Sequence, residues 1–464
     1  MTFEVTFFGA AERVTGSLYL IRAGGHNVLL ECGLVQGSRE DEALNRDPFP
    51  IPPDQIDAVV LSHAHIDHSG RVPLLAKQGF QGPVYTQHAT LALCKIMLPD
   101  SGYLNEKDAE WENKKRKRQN TVSVKPLYTR ADAEACLNQF HGIDYEEDRE
   151  IVPGLSVRFR NAGHILGSAI VELTYTKGRE SRKLAFSGDL GYRDAPVMEP
   201  PGKVRTADIV MMESTYGNRL HRPYDETLKE LGEVFESAKS AGGNILIPAF
   251  AVGRTQDLLY LLTKHCDEWG LQDWNIFLDS PMAIQATEVY SRHQDLYDAK
   301  FFEPGTHQPI LPKFYMTRST EESMVINRVR SGAIIIAGSG MCSGGRIRHH
   351  LKNNISRPGT HVVIVGFQAY GTLGRRLVDG AEEIRLWGDT YRVRSEIHTI
   401  GGLSAHGDQA DLLDWYGSFE NKPPLYLVHG EPKAQTSLAA EIRKQHHAEV
   451  SIAKYGQKIA IAGC

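Results

Sequence analysis

Four times between residues 244 and 378 a short apolar run passes through a loop into a stretch of helical periodicity. The segments are "NILIPAFAVGRTQDLLYLLTKH", "NIFLDSPMAIQATEVY", "AIIIAGSGMCSGGRIRHHLKN" and "HVVIVGFQAYGTLGRRL". Parallel neighbours need a long crossover, usually a helix, so this order predicts a parallel sheet covered by helices. "ADIVMMESTYG" reads as a further strand of that sheet.

The first two hundred residues differ. "FEVTFF" and "SLYLIRAGGHNVLLECG" predict an opening meander, with Gly24-Gly25 as a hairpin turn. "DAVVLSHAHIDHSG" is a buried strand running into a loop, and "RVPLLAKQGF" the helix after it. Residues 87–140 read as mainly helical, and "LSVRFRNAGH", "AIVELTYT" and "KLAFSGDLG" as strands again. After about residue 385 strands return in "EIRLWGDTYRVRSEIHTI", and "PLYLVHGE" is a strand ending on a histidine. These later strands are expected to rejoin the first domain, which makes the middle an insertion.

Length and composition bound the function. A chain of 464 residues predicts two domains. With 52 Lys+Arg against 57 Asp+Glu the net charge is −5, which excludes a uniformly basic nucleic-acid binder but not a local basic groove. The six cysteines, Cys32, Cys94, Cys136, Cys266, Cys342 and Cys464, form no C-x-x-C pair and read as reduced thiols. "MTFEVTFFGA" has no secretory pattern and no apolar run has membrane-span length, so a cytoplasmic protein with no membrane partner is expected. Nothing fixes the oligomeric state, and a homodimer is compatible with the sequence.

The chemistry concentrates in "LSHAHIDHSG". Histidine and carboxylate suit zinc and similar cations. In an extended segment His63 and His65 point the same way and can grip one metal, while Asp67 and His68 face a neighbouring one. A polar surface loop is the bland alternative, and four ligand-type residues in six positions argue against it. "NAGHILGSA" adds His164 and "FSGDLG" adds Asp189, each at a strand end. Alone each is weak, since a lone histidine is more often structural.

These motifs resemble the metallo-β-lactamase fold, and "ESTYG" with Glu213, "LSAHGD" with His406 and "LVHGE" with His429 resemble its β-CASP branch. That branch includes the polyadenylation nuclease subunit, the RNase J enzymes and a compact bacterial set of RNA-processing ribonucleases, to which the whole chain looks most similar. The resemblance implies a four-layer αββα fold with an inserted parallel-sheet domain: residues 1–208 and 391–464 for the former, 209–390 for the latter. It implies two Zn²⁺ per chain, with Mn²⁺ or Fe²⁺ as alternatives. His63, His65 and His164 would hold one, Asp67, His68 and His429 the other, and Asp189 would bridge. The implied reaction is hydrolysis of RNA phosphodiester bonds by a hydroxide activated by both metals, endonucleolytic and also 5′–3′ exonucleolytic. Asp67, His406 and Glu213 would be the catalytic residues, His406 serving the departing oxygen and Glu213 orienting it.

One position departs from the family pattern: Glu31 in "LLECG" stands where aspartate is usual, one methylene longer. Histidine at 429 goes with RNA rather than DNA in this family. The basic run Lys114, Lys115, Arg116, Lys117 and Arg118 beside Trp111 can follow a phosphate backbone, or be a solvated helix face. The glycine-rich loops after the later strands lack the Gly-Lys-Ser/Thr ending of a nucleotide-hydrolysing P-loop. The family resemblance puts them at a cleft between the domains, with Arg254, Ser339, Arg375 and His398 as substrate contacts. The rival readings are a metallohydrolase of DNA, thioesters or lactams, and an RNA-binding scaffold without turnover.

Overall fold

The computed structural model describes residues 2–118, 121–297 and 300–461. The chain forms two compact units. One comprises 1–193, 200–220 and 406–464, the other 194–199 and 221–405.

The first unit is built on two seven-stranded sheets. The hairpin Tyr19–Ala23/His26–Leu30 turns on Gly24-Gly25, both at positive φ, where a side chain would be strained. Its strands alternate, so Val5, Phe7, Ile21 and Val28 of one sheet meet Val157, Phe159, Val171 and Phe186 of the other in one buried cluster. A second cluster covers the outer face of the second sheet. There Leu412, Trp415 and Tyr416 from the helix Gln409–Gly417, and Leu438 and Ile442 from Pro432–His446, pack on Ile170, Val210 and Leu425. Helices Val72–Lys77, His88–Arg118 and Arg130–Cys136 pack together beside the first sheet. The order is helix, sheet, sheet, helix.

The second unit is built on a six-stranded sheet paired in parallel throughout, Phe314–Met316, Asn275–Leu278, Ala333–Ala337, Ile245–Pro248, His361–Ile364 and Glu396–Thr399 in that spatial order, and carries a separate antiparallel hairpin, Glu383–Leu386/Asp389–Arg392. Each of the four strand–loop–helix segments forms as its pattern predicts.

Two strands sit elsewhere than expected. Ile209–Met212 pairs in parallel with Glu180–Phe186 and Leu425–Leu427, so it belongs to the first unit and not to the parallel-sheet domain. Glu396–Thr399 pairs with His361–Ile364, so the second unit runs to Ala405 instead of ending near 390. Both errors have one cause. Ile209–Met212 is a fully buried apolar run and Glu396–Thr399 a mixed, part-exposed one, and neither pattern names its sheet, which is decided by partners far away in sequence.

Cys32, Cys94, Cys136, Cys266 and Cys342 are unpaired thiols, and Cys464 lies outside the described residues. Among the described residues no helix is long and apolar enough to cross a membrane.

Candidate metal centre

The strands Leu155–Asn161 and Glu180–Phe186 both run antiparallel to the strand between them, and Ile209–Met212 and Leu425–Leu427 continue in the direction of the second. Their carboxyl ends therefore lie along one edge. From that edge come His164, Asp189, Glu213 and His429, each one to three residues beyond its strand. His63 and His65 follow Ala58–Val60 of the other sheet. The short helix Ile66–Ser69 carries Asp67 and His68.

This helix is fastened to the chain leaving the hairpin. Ser17 N–H donates to the Asp67 carbonyl at 2.9 Å, Cys32 N–H to His68 at 2.8 Å and Leu34 N–H to Ile66 at 2.9 Å. A Cβ on Gly33 would lie 1.6 Å from the Asp67 carbonyl oxygen. Gly33→Ala is therefore predicted to displace Asp67 and His68, lowering zinc content along with the melting temperature. Full zinc content in a folded variant would refute this.

The ligand-type atoms converge in two groups. In the first, His65 Nδ1 lies 3.1 Å from His63 Nε2 and 3.2 Å from His164 Nε2. Asp189 Oδ2 lies 3.5 Å from His63 and 3.6 Å from His164. Nitrogen and oxygen ligands about 2.0–2.1 Å from one tetrahedral cation are about 3.3–3.4 Å apart, so these spacings fit. In the second, His68 Nε2 lies 3.2 Å from His429 Nε2, and Asp67 Oδ2 lies 3.5 Å from His429 and 3.9 Å from His68. Asp189 Oδ1 is 3.4 Å from His68 Nε2. That oxygen is buried without a hydrogen-bond partner. A carboxylate oxygen left so in a protein interior is costly unless a cation meets it. The donor set fits metal.

Several neighbours fix which nitrogen points inward. Ser62 Oγ sits 3.0 Å from His63 Nδ1, and Thr215 Oγ1 sits 3.0 Å from His429 Nδ1. Glu31 accepts from the Ser62 N–H at 2.6 Å and hydroxyl at 2.8 Å, and bonds His68 Nδ1. The longer glutamate is thus accommodated and keeps His68 Nε2 turned to the site. Such outer partners set tautomer and ring orientation. Glu31 and His429 both have positive φ, 64° and 50°. Strained backbone of this kind collects at functional sites. Ser62 and Thr215 were missed from sequence, where only their adjacency to ligand motifs could have flagged them. Glu31→Ala should lower metal affinity by roughly 10- to 100-fold, measurable by titration against a chelator. An unchanged affinity would deny Glu31 this role.

His406 precedes the helix Gln409–Gly417, and Asp408, not His406, caps it. Its Nδ1 lies 3.0 and 3.2 Å from the two oxygens of Glu213. Glu213 is buried and accepts the Leu190 N–H at 2.7 Å. Burial alone would depress His406; the Glu213 carboxylate overrides it and pushes the ring up to about 9. His406 packs 4.5 Å from the His164 ring, so the pair adjoins the first ligand group.

The four expected substrate contacts lie in the second unit. Arg254 is buried and 3.3 Å from Asp257, and Arg375 Nε binds both oxygens of Asp379 at 2.8 and 3.0 Å. Ser339 Oγ accepts the Gly344 N–H at 3.1 Å, closing its own loop. His398 Nε2 is 2.8 Å from His361 Nδ1, with Glu396 3.8 Å from each. This trio resembles a metal site in composition. Its rings, however, are within 9° of parallel with centroids 5.0 Å apart, the geometry of an in-line N–H···N hydrogen bond. One of the two nitrogens donates its N–H to the lone pair of the other, so neither is turned to a shared cation. Lys114, Lys115 and Lys117 are exposed beside Trp111 on a solvated helix end, and Arg116 pairs with Glu112 at 2.9 Å. The Arg118 side chain lies outside the described residues.

Residues 11–249 match the metallo-beta-lactamase superfamily, 255–377 the Beta-Casp domain, and 390–453 the Zn-dependent metallo-hydrolase RNA specificity domain. The chain belongs to the metallo-β-lactamase superfamily of metal-dependent hydrolases, in its β-CASP branch. Ribonuclease TTHA0252 of Thermus thermophilus is 39% identical over 98% of this chain and 99% of its own length. Transcription termination factor FttA of Pyrococcus abyssi is 31% identical over 95% of this chain and 69% of its own. A crystal structure of a protein of unknown function from Enterococcus faecalis shares the fold, with a TM-score of 0.54 at 13% identity over 99% of this chain and 100% of that one.

Proposed function

We propose that this protein is a ribonuclease that hydrolyses RNA phosphodiester bonds at a centre holding two zinc ions. The observation that carries the reading is Asp189, whose two oxygens face two separate groups of histidines while the Glu213–His406 pair stands alongside. The relatives named a ribonuclease and a transcription termination factor, and the matched RNA specificity domain, favour RNA. His63, His65 and His164 would hold one ion, Asp67, His68 and His429 the other, with Asp189 shared. When bound, the ions supply positive charge that acidifies water and offsets charge building on the phosphate.

The chain's own residues do the rest. Glu213 accepts from Nδ1 of His406 and so fixes the ring with Nε2 as its other proton-bearing atom. As the P–O bond to the departing nucleoside breaks, that proton passes to the leaving oxygen. Arg375 and Ser339 are the contacts we assign to the RNA backbone: Arg375 is exposed with only the surface carboxylate of Asp379 as its partner and Ser339 is half-buried, whereas Arg254 is buried against Asp257 and His398 is bonded to His361. A cytoplasmic location fits an RNA substrate. The reading is endonucleolytic, with 5′–3′ trimming as a further mode that the labelled-RNA test separates.

The test is incubation with RNA labelled at either end, with matched DNA, nitrocefin and a glutathione thioester alongside. Internal RNA products with DNA and the small esters untouched support the reading. Hydrolysis of the small substrates with intact RNA would overturn it, and equal cutting of DNA would remove the RNA preference assigned to His429.

A further inference from the structure

The hairpin Glu383–Leu386/Asp389–Arg392 turns on Trp387-Gly388, at φ 51° and 100°. Such a turn favours asparagine or glycine at its first position, and a bulky residue there is an outlier. Trp387 is nonetheless placed there, with 51% of its surface exposed. The side chain is not idle. The Arg348 guanidinium lies 4.8 Å from its ring centroid, the Lys352 ammonium 5.9 Å, and the His349 ring 4.5 Å. All three sit on one helix, Ile347–Asn354, at spacings that bring them to a common side. Arg385 adds a third cation from the hairpin, its Nε donating to the Gly388 carbonyl at 3.1 Å.

The patch carries net positive charge. Among the described residues no carboxylate stands within 4.0 Å of the charged ends of Arg348, Lys352 or Arg385. The acid nearest in the hairpin, Asp389, is 3.4 Å from the Tyr391 hydroxyl. Burial first, then His350, Arg348 and Lys352, hold His349 below its ordinary value, so it serves as a neutral aromatic ring. A half-open indole with two cations over its ring and Arg385 two residues before it in the hairpin complements a chain that alternates flat bases with phosphates. Single strands are bound in this way, by stacking bases on aromatic and guanidinium planes along a positive track.

We propose that Trp387, with Arg348, Lys352 and Arg385, is a docking site for single-stranded RNA, stacking one base on the indole and pairing the flanking phosphates with the cations. The proposal rests on the ribonuclease reading for its ligand, and uses none of the residues assigned to metal binding and proton transfer.

The experiment reads binding and cleavage separately. Binding of a fluorescein-labelled RNA of about 20 nucleotides is measured by anisotropy, and cleavage of the same RNA on gels. Hydrolysis of bis(p-nitrophenyl) phosphate, which has no base to stack, reports on the metal centre. Trp387→Ala should weaken RNA binding about tenfold, as expected for one base–aromatic stack, and leave the small diester unaffected. Trp387→Phe should recover most of the loss. Arg348→Glu with Lys352→Glu should weaken binding and flatten its salt dependence, even if Trp387→Ala fails to fold. RNA binding within twofold of wild type in both the folded Trp387 variant and the charge-reversed one would overturn the site, whether or not the RNA is cut. Displacement of the RNA by polyglutamate at equal concentration would overturn it in favour of an acidic protein partner. Wild-type protein that binds RNA through Trp387 but never cuts it would overturn the ribonuclease reading and leave this site standing.

Discussion

Asp189→Ala is expected to remove metal and activity together. Asp189 Oδ2 belongs to the group of His63, His65 and His164, and Oδ1 faces His68. Among the other carboxylates Asp67 stands with His68 and His429, while Glu31, close to both His63 and His68, is already engaged by Ser62 and by the outer nitrogen of His68. Without it both sets lose a negatively charged ligand at once. Charge stabilisation by a metal centre is worth several kcal/mol, so the rate on RNA should fall about 10³-fold or more. Elemental analysis should show metal lost in parallel, and the rise in melting temperature that zinc gives the wild type should shrink. Because His68 loses the carboxylate beside it, the variant is also expected to be less stable, so melting is recorded alongside metal content and compared in the metal-free proteins. Normal metal content with normal cleavage would refute the shared-ligand role.

His406→Ala should produce a different failure. Nothing in the geometry makes His406 a ligand: its Nδ1 is committed to Glu213, and it stands 4.0 Å from Asp189. Metal content should therefore stay at the wild-type level while cleavage slows about 10²- to 10⁴-fold, the usual contribution of a positioned general acid. An RNA analogue with a leaving group needing no proton should recover much of the loss. Glu213→Gln should give a milder version, since the amide can still hold the ring but carries no charge. A His406→Ala protein cutting RNA at the wild-type rate would remove the proton-transfer role, and one that loses metal would make His406 a ligand.

The candidate ligands that the fold brings together could be singled out in the sequence because their chemistry is unusual where it occurs. Four metal-binding side chains after a buried strand have few other uses, and His164, Asp189 and His429 share the same strand-end setting. The parallel sheet of the second unit was legible from the repeated order of strand, loop and helix. What the sequence did not reveal is long-range. Ile209–Met212 and Glu396–Thr399 are apolar or mixed runs that fit either sheet, and hydrogen bonds to Leu425–Leu427 and His361–Ile364 decide their places. Ser62 and Thr215 escaped notice because a hydroxyl next to a histidine is common, and only the folded chain aims it at a ring nitrogen. Arg254 and His398 read as candidates for RNA because both types suit phosphate. Their buried partners Asp257 and His361 are too unremarkable in sequence to have warned otherwise.

The most direct test of a two-metal ribonuclease is restoration of activity against counted metal. The protein is stripped with a chelator, zinc is added back in steps, and bound metal per chain and cleavage of labelled RNA are measured on the same samples. RNA cutting absent from the stripped protein and rising to a plateau at two zinc ions per chain is the predicted result. Full cleavage without metal, or a plateau of bound zinc with intact RNA, would contradict it.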